Sequence, residues 1–282
     1  MSSWKSIAVF IDPADPDHGI LDYAGWLAQQ CDAHLIGIFN MGGLASGPEG
    51  YTGVRGEAAI QDCIARRRER EERAVFAAGQ RLAEVGRVRS ISVEFRVLWR
   101  ANEAEEAVLN SLHCDLVLIG DRKESCLPQN VTPERVVFEV GVPVIVVPEG
   151  WRQPELIQRV LVAWNATREA RRAMTDALTY ITLAEQTLLL VIDPDKNEGR
   201  FGDVPGADAA RHLARHGGHV HTLTENSYGR PVNEVILSVA AREGVDLIVM
   251  GAYSKPRTRQ LLFGGVTRSM LSGVRHPLLI SR

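Results

Sequence analysis

The segment Val249–Leu271, VMGAYSKPRTRQLLFGGVTRSML, concentrates residue types that hold phosphate. Gly251 closes an apolar run, and Gly264 and Gly265 precede a helix-like pattern from Val266 to Val274. Glycine admits the positive-φ conformations that turn successive backbone N–H groups inward. A helix start adds unpaired N–H groups and the positive end of the helix dipole. Thr267 brings a hydroxyl into the first turn, and Lys255, Arg257, Arg259 and Arg268 surround the glycines with positive charge. No Asp or Glu lies between Ala252 and Arg282. The same composition also describes a glycine-rich turn with a solvated basic face, and both readings stand at this level.

Other chemistry-bearing clusters read more plainly. His212 and His216 are four apart on a helical pattern, and His219 and His221 share one face of a strand pattern. Four imidazoles within ten residues can bind zinc or nickel. The helix pair and the strand pair have no reason to converge, so a solvated surface cluster is expected and no metal site is assigned. The run RRREREERAVF, residues 66–76, pairs Arg67 with Glu71, Arg68 with Glu72 and Glu69 with Arg73 at i,i+4. That is a solvated helix laced with ion pairs rather than a nucleic-acid site. Trp164, at a strand end, is expected to pack in the core or rim. Cys126 reads as a free thiol without a role. GxxxxGK[ST], a GxGxxG after the first strand, a GxSxG elbow and HExxH are all absent, and spacing places no catalytic base.

Composition bounds the setting. The chain has 282 residues, 45% hydrophobic and 24% charged, which suggests about two domains. Net charge is −3 and the pI is near 6.3, so no global basic field recruits nucleic acid or an anionic membrane. Apolar runs such as VPVIVV and TLLLVI are strand-sized, far short of the roughly 20 residues of a membrane span. Cys31, Cys63, Cys114 and Cys126 form no CxxC pair, and a soluble, reducing, cytoplasmic setting is expected.

The elements that must position these residues occur twice. CDLVLIGDR, residues 114–122, echoes VDLIVMGAY, residues 245–253. NVTPERVV echoes GVTRSMLS, VPVIVV echoes HPLLIS, and IAVFID echoes VLVAWN. The offset from Asp115 to Asp246 is about 22 residues shorter than that from Ile7 to Val160, which places extra chain in the first half, at 41–73. Strands are expected at 5–12, 33–39, 91–98, 115–119 and 143–147, then at 159–165, 187–192, 219–224, 246–251 and 276–281. Helical patterns fit at 168–184, 206–217, 231–243 and 265–274. Apolar runs without alternation, such as VLVAW and DLIVMG, read as strands covered on both faces. The pattern predicts an α/β chain of two doubly wound parallel five-stranded sheets. The expected domains are 1–150 and 156–282, joined by PEGWRQPE. The apolar final strands of the two halves are expected to cover each other's edges, giving an intrachain pseudo-dimer. A homodimer between chains is compatible with this and not required. Ligands of such sheets bind beyond the carboxyl ends of the strands, where strand order reverses.

With those elements in place, the segment from Gly251 resembles the nucleotide loop of the universal stress protein family. There a strand is followed by G-x-x-G, nine residues, and G followed by Ser or Thr. Here Gly251 is followed by Ser254 at the second glycine, Lys255 to Phe263 as the nine, Gly264, and Gly265 at the Ser/Thr place. AWNATREARRAM also looks like the family's first strand and helix. The resemblance covers both halves and implies a tandem protein with an adenine nucleotide alpha hydrolase-like fold. It implies phosphate contacts at Gly251, Ser254, Gly264, Gly265, Val266 and Thr267, and a backbone contact to adenine at Val191. Asn165 stands where ATP-binding members carry an Asp near adenosine and metal.

The first half departs further. After Gly120 it reads DRKESCLPQNVT, four residues shorter between Gly120 and Val131 than between Gly251 and Val266. It lacks the later glycines and adds Asp121, yet it keeps Asp12 at the end of its first strand. The resulting expectation is a stress-response regulatory protein that binds ATP or another adenine nucleotide, with or without Mg, in its second half. It is expected to be non-catalytic or a very slow ATPase, with a protein partner that the sequence does not identify. The alternatives are a ligand-free interaction scaffold of the same fold and an enzyme of the related hydrolase type.

Overall fold

The computed structural model describes residues 4–12, 19–40, 56–98, 103–121, 131–151, 157–196, 203–252 and 265–282. They form two compact units, Trp4–Val140 and Gly141–Arg282. The first contains β1 (Ser6–Ile11), α1 (Gly19–Cys31), β2 (His34–Asn40), α2 (Glu57–Arg89), β3 (Val93–Leu98), α3 (Glu103–Ser111), β4 (Leu116–Asp121) and α4 (Pro133–Glu139). Its strands are parallel in the order β3-β2-β1-β4.

Helix α2 has 33 residues, about 50 Å at 1.5 Å per residue. Ala78, Leu82 and Val85 are buried on its C-terminal part. It lies close against α1 because Gly25 has no side chain, and a Cβ there would fall on Val85. Its N-terminal turns are mostly exposed, with ion pairs Arg66–Asp62 and Arg73–Glu69. The second of these is one of the pairs that the sequence pattern predicts.

The second unit contains β5 (Val144–Pro148), β6 (Arg159–Ala163), α5 (Arg168–Asp176), α6 (Leu178–Leu183), β7 (Gln186–Ile192), α7 (Ala207–Arg215), β8 (Val220–Glu225), α8 (Val232–Glu243), β9 (Leu247–Gly251), α9 (Gly265–Leu271) and β10 (Leu278–Ser281). Strand order is β5-β10-β9-β6-β7-β8. All neighbours in it are parallel except β5 and β10, which pair antiparallel with Val146 opposite Leu278 and Val144 opposite Ile280. This is the pairing of apolar final strands expected from their need for cover. Leu247 to Met250 are all buried, as a strand covered on both faces must be.

The repeated motif CDL/VDL has a structural cause. Asp115 Oδ2 accepts from the backbone N–H groups of Lys5 and Ser6, at 2.7 and 2.9 Å. Asp246 Oδ2 accepts from Gln158 and Arg159, at 2.8 and 2.9 Å. Each Asp thus fixes where the first strand of its half starts. The pattern over 168–184 predicts one helix, but the chain divides at Ala177 into α5 and α6. The Thr175 hydroxyl bonds back to Arg171 O at 2.9 Å, a contact that bends helices.

Candidate functional site

In the second unit the chain runs from β6 to β7 and β8 on one side, and β9 and β10 lie on the other. The order therefore reverses between β6 and β9, whose ends align with Ala163 beside Met250. Asn165 and Gly251 leave the sheet at that reversal, where a crevice opens in doubly wound folds.

Gly251 is glycine for a packing reason. A Cβ there would fall on the backbone N of Ala170 and the carbonyl C of Glu169, with Glu169 O at 2.7 Å. Only a residue without a side chain lets the first turn of α5 descend onto the end of β9. That turn is capped by Thr167, whose Oγ1 accepts from Ala170 N at 3.2 Å and donates to Asn165 Oδ1 at 2.7 Å. Between them Ala166 has φ 53°, a left-handed conformation that costs a non-glycine residue about 1 kcal/mol. The tight turn therefore fixes Asn165, which is exposed, at the strand reversal.

The next strand end is held by Asp193, which also has positive φ, 49°. Its carboxylate accepts from Ser227 N at 2.8 Å, Ser227 Oγ at 2.5 Å and Lys196 Nζ at 2.7 Å. Lys196 first, then the Ser227 hydroxyl and backbone N–H, hold its pKa down to about 2. Asp193 thereby ties the ends of β7 and β8 together. Glu169 is buried in the first turn of α5. Burial pushes its carboxyl up, but the bonds from Arg168 and from its own backbone N–H outweigh this and leave it below its ordinary value.

Asn165 and Gly251 meet at the strand reversal. Gly265 is exposed at the start of α9, with nothing within 4 Å of the place a Cβ would occupy. Val266 is half-buried. Thr267 is only 3% exposed and shares the inward face of α9 with Met270 and Leu271. Val191 is fully buried in β7, between β6 and β8, level with Thr224. Ser254 and Gly264 lie outside the described residues, as do Lys255, Arg257, Arg259 and Cys126. Trp164 is half-buried and its N–H donates to Leu190 O at 2.8 Å. The His212 and His216 rings meet edge-on at 4.8 Å. Among the described residues no group of three or more His, Cys, Asp or Glu gathers as metal ligands.

Sequence reasoning missed Thr167 and the Asp193–Ser227 link. The first carries a legible signal, a Thr directly before a helical pattern. The second does not, because its partners are 34 residues apart. In the first unit the helix that aligns with α9 in the sequence repeat is α4, which begins at Pro133. Its N-cap Thr132 accepts from Arg135 N at 3.3 Å, and Pro133 in its first turn has no N–H. Asp12, after β1, is buried at 7% exposure.

A sheet with this strand order and reversal defines the class of doubly wound α/β folds. Residues 157–282, the second half of the chain, match the model of the universal stress protein family. A universal stress protein of Methanocaldococcus jannaschii is 35% identical over 48 residues, 17% of this chain and 30% of that protein, so the match spans under a third of the relative. The crystal structure of a universal stress protein from Archaeoglobus fulgidus superposes with a TM-score of 0.67 at 16% identity, covering 98% of this chain and 96% of that one. A putative universal stress protein from Pseudomonas aeruginosa gives 0.62 at 17% identity, covering 99% and 93%. At these identities the two structures show a shared fold.

Proposed function

We propose that the second unit binds an adenine nucleotide at the β6/β9 reversal and that the protein is a nucleotide-responsive regulator of the stress-response class, with at most weak ATP hydrolysis. The observation that carries this reading is the convergence of Asn165, Gly251 and the α5 cap at one strand reversal, in the half that matches the family. The phosphate end of the ligand lies toward Gly265, whose open surroundings leave its backbone approachable. Family resemblance supplies the adenine. The first unit takes no nucleotide, because α4 closes its own start with Thr132 and Pro133 removes a donor. A reducing, cytoplasmic compartment belongs to the same reading, and no described helix is long and apolar enough to cross a membrane.

The burial of Val191 and Thr267 favours a second reading, a ligand-free interaction scaffold that binds an unidentified protein partner or a second copy of the chain. Mass spectrometry of small molecules released from freshly purified, denatured protein separates the two. Adenine nucleotide released from wild type and lost from Gly265→Asp supports the first. Thr132→Asp keeps a good N-cap and serves as the first-unit control. Loss of nucleotide from that variant instead would move the site to the first unit, and release of none from wild type would favour the scaffold.

A further inference from the structure

The family resemblance raises a divalent cation beside the nucleotide, and the residues at the crevice do not fit one. Mg²⁺ takes oxygen ligands in near-octahedral geometry, usually from one or two carboxylates together with substrate phosphates, whose charge it neutralises. Asn165 stands first at the strand reversal, and its chemistry is set by its neighbour. The Thr167 hydroxyl receives the Ala170 N–H and so directs its single proton to Asn165 Oδ1, at 2.7 Å. With one lone pair of that oxygen engaged, Asn165 brings a neutral amide, with two N–H donors, to a place where a cation site would need a carboxylate's charge.

The neighbouring carboxylates are committed. Asp193 accepts from Ser227 N, Ser227 Oγ and Lys196 Nζ, and its side chain is 12% exposed. Glu169 is bonded to Arg168, and its side chain is 7% exposed. Among the described residues from 265 to the end there is no Asp or Glu, and Arg268 is exposed on α9. Asp195, exposed on the short turn Pro194–Lys196 beyond β7, is a further described carboxylate that the test controls for.

We propose that the second unit takes its nucleotide as the free anion, with Asn165 as the specificity-determining residue that substitutes an amide donor for a metal ligand. This rests on the nucleotide reading and concerns the form of ligand bound. Protein N–H groups, with Arg268 on α9, rather than a divalent ion, answer the phosphate charge. Mg²⁺ then competes with the protein for the nucleotide instead of bridging them.

The test is calorimetric titration of the full chain with ATP in excess EDTA and in excess MgCl₂. Wild type is expected to bind in EDTA as tightly as in Mg²⁺ or up to about tenfold more tightly. Asn165→Asp keeps the acceptor for Thr167 at an exposed position, so the fold tolerates it. Its carboxylate faces the phosphate charge, and affinity in EDTA falls by about tenfold and recovers with Mg²⁺. Asp195→Asn leaves both affinities unchanged. Wild-type binding that is about tenfold tighter in Mg²⁺, or a Mg²⁺ requirement removed by Asp195→Asn, overturns the metal-free form while leaving the nucleotide reading intact. Absence of ATP binding in both buffers overturns the nucleotide reading and this inference with it.

Discussion

Replacing Gly251 with alanine drives a methyl group into backbone rather than into a movable side chain. The added Cβ falls on the amide nitrogen of Ala170 and the carbonyl carbon of Glu169, with Glu169 O at 2.7 Å. Either the end of β9 shifts away from its partners β6 and β10, or the first turn of α5 lifts. Overpacking of this kind costs about 1–3 kcal/mol. A lifted α5 also loses the Thr167–Ala170 cap, worth roughly 1 kcal/mol. A total of about 2–4 kcal/mol lowers Tm by on the order of 10 °C for a chain of this size. Urea unfolding followed by circular dichroism measures it, with the midpoint falling at unchanged m-value. Gly265→Ala is the internal comparison. Its Cβ meets nothing within 4 Å, and alanine is the better helix former by up to about 1 kcal/mol, so the midpoint stays or rises. Wild-type stability in Gly251→Ala would mean that α5 does not approach β9 as closely as described. Damage from Gly265→Ala instead would reverse the roles of the two glycines.

The carboxylate of Asp193 is depressed from 3.8 to about 2, so its stabilising contribution is fully present above about pH 4 and is lost as pH falls toward 2. The Tm gap between wild type and Asp193→Asn is therefore constant from neutrality to about pH 4 and closes below it; a gap that widens on acidification contradicts this. Thr167→Val removes the α5 cap and the donor that orients Asn165. It should cost about 1 kcal/mol in urea unfolding and weaken ATP binding as well; a stability loss with wild-type affinity would detach Asn165 from the ligand. Burial pushes the Cys114 thiol up to about 11. Iodoacetamide at about pH 8 should therefore label half-buried Cys63 on α2 and spare Cys114, as peptide mass mapping would show.

The parts of the fold legible in the sequence are those written in local apolar pattern. Unalternating runs such as LIVM and LLLVI located β9 and β7, and the need to cover VPVIVV and HPLLIS anticipated the β5–β10 pair. The echo of CDL and VDL revealed the repeat, but the caps that Asp115 and Asp246 make to distant strand starts appear only in three dimensions. The extra chain of the first half was located, yet α2 continues through it to Arg89, because its C-terminal turns pack on α1 through Gly25. The α5/α6 division was hidden, since neither Gly nor Pro marks it and the bend comes from a threonine hydroxyl. At the site, residue type alone suggested Thr267 as a phosphate donor, whereas the register of α9 turns it inward with Met270 and Leu271. The sequence marks Gly251 as the end of a strand and a phosphate contact; its packing against α5 depends on residues some 80 positions earlier.

The stoichiometry of ATP on the intact chain, measured by equilibrium dialysis with labelled nucleotide, puts the assignment of the site to its most direct test. One nucleotide per chain, abolished by Gly265→Asp and retained by Thr132→Asp, is the expected result. Saturation at two per chain, or binding that survives Gly265→Asp and is lost with Thr132→Asp, would contradict placement of the nucleotide in the second unit alone.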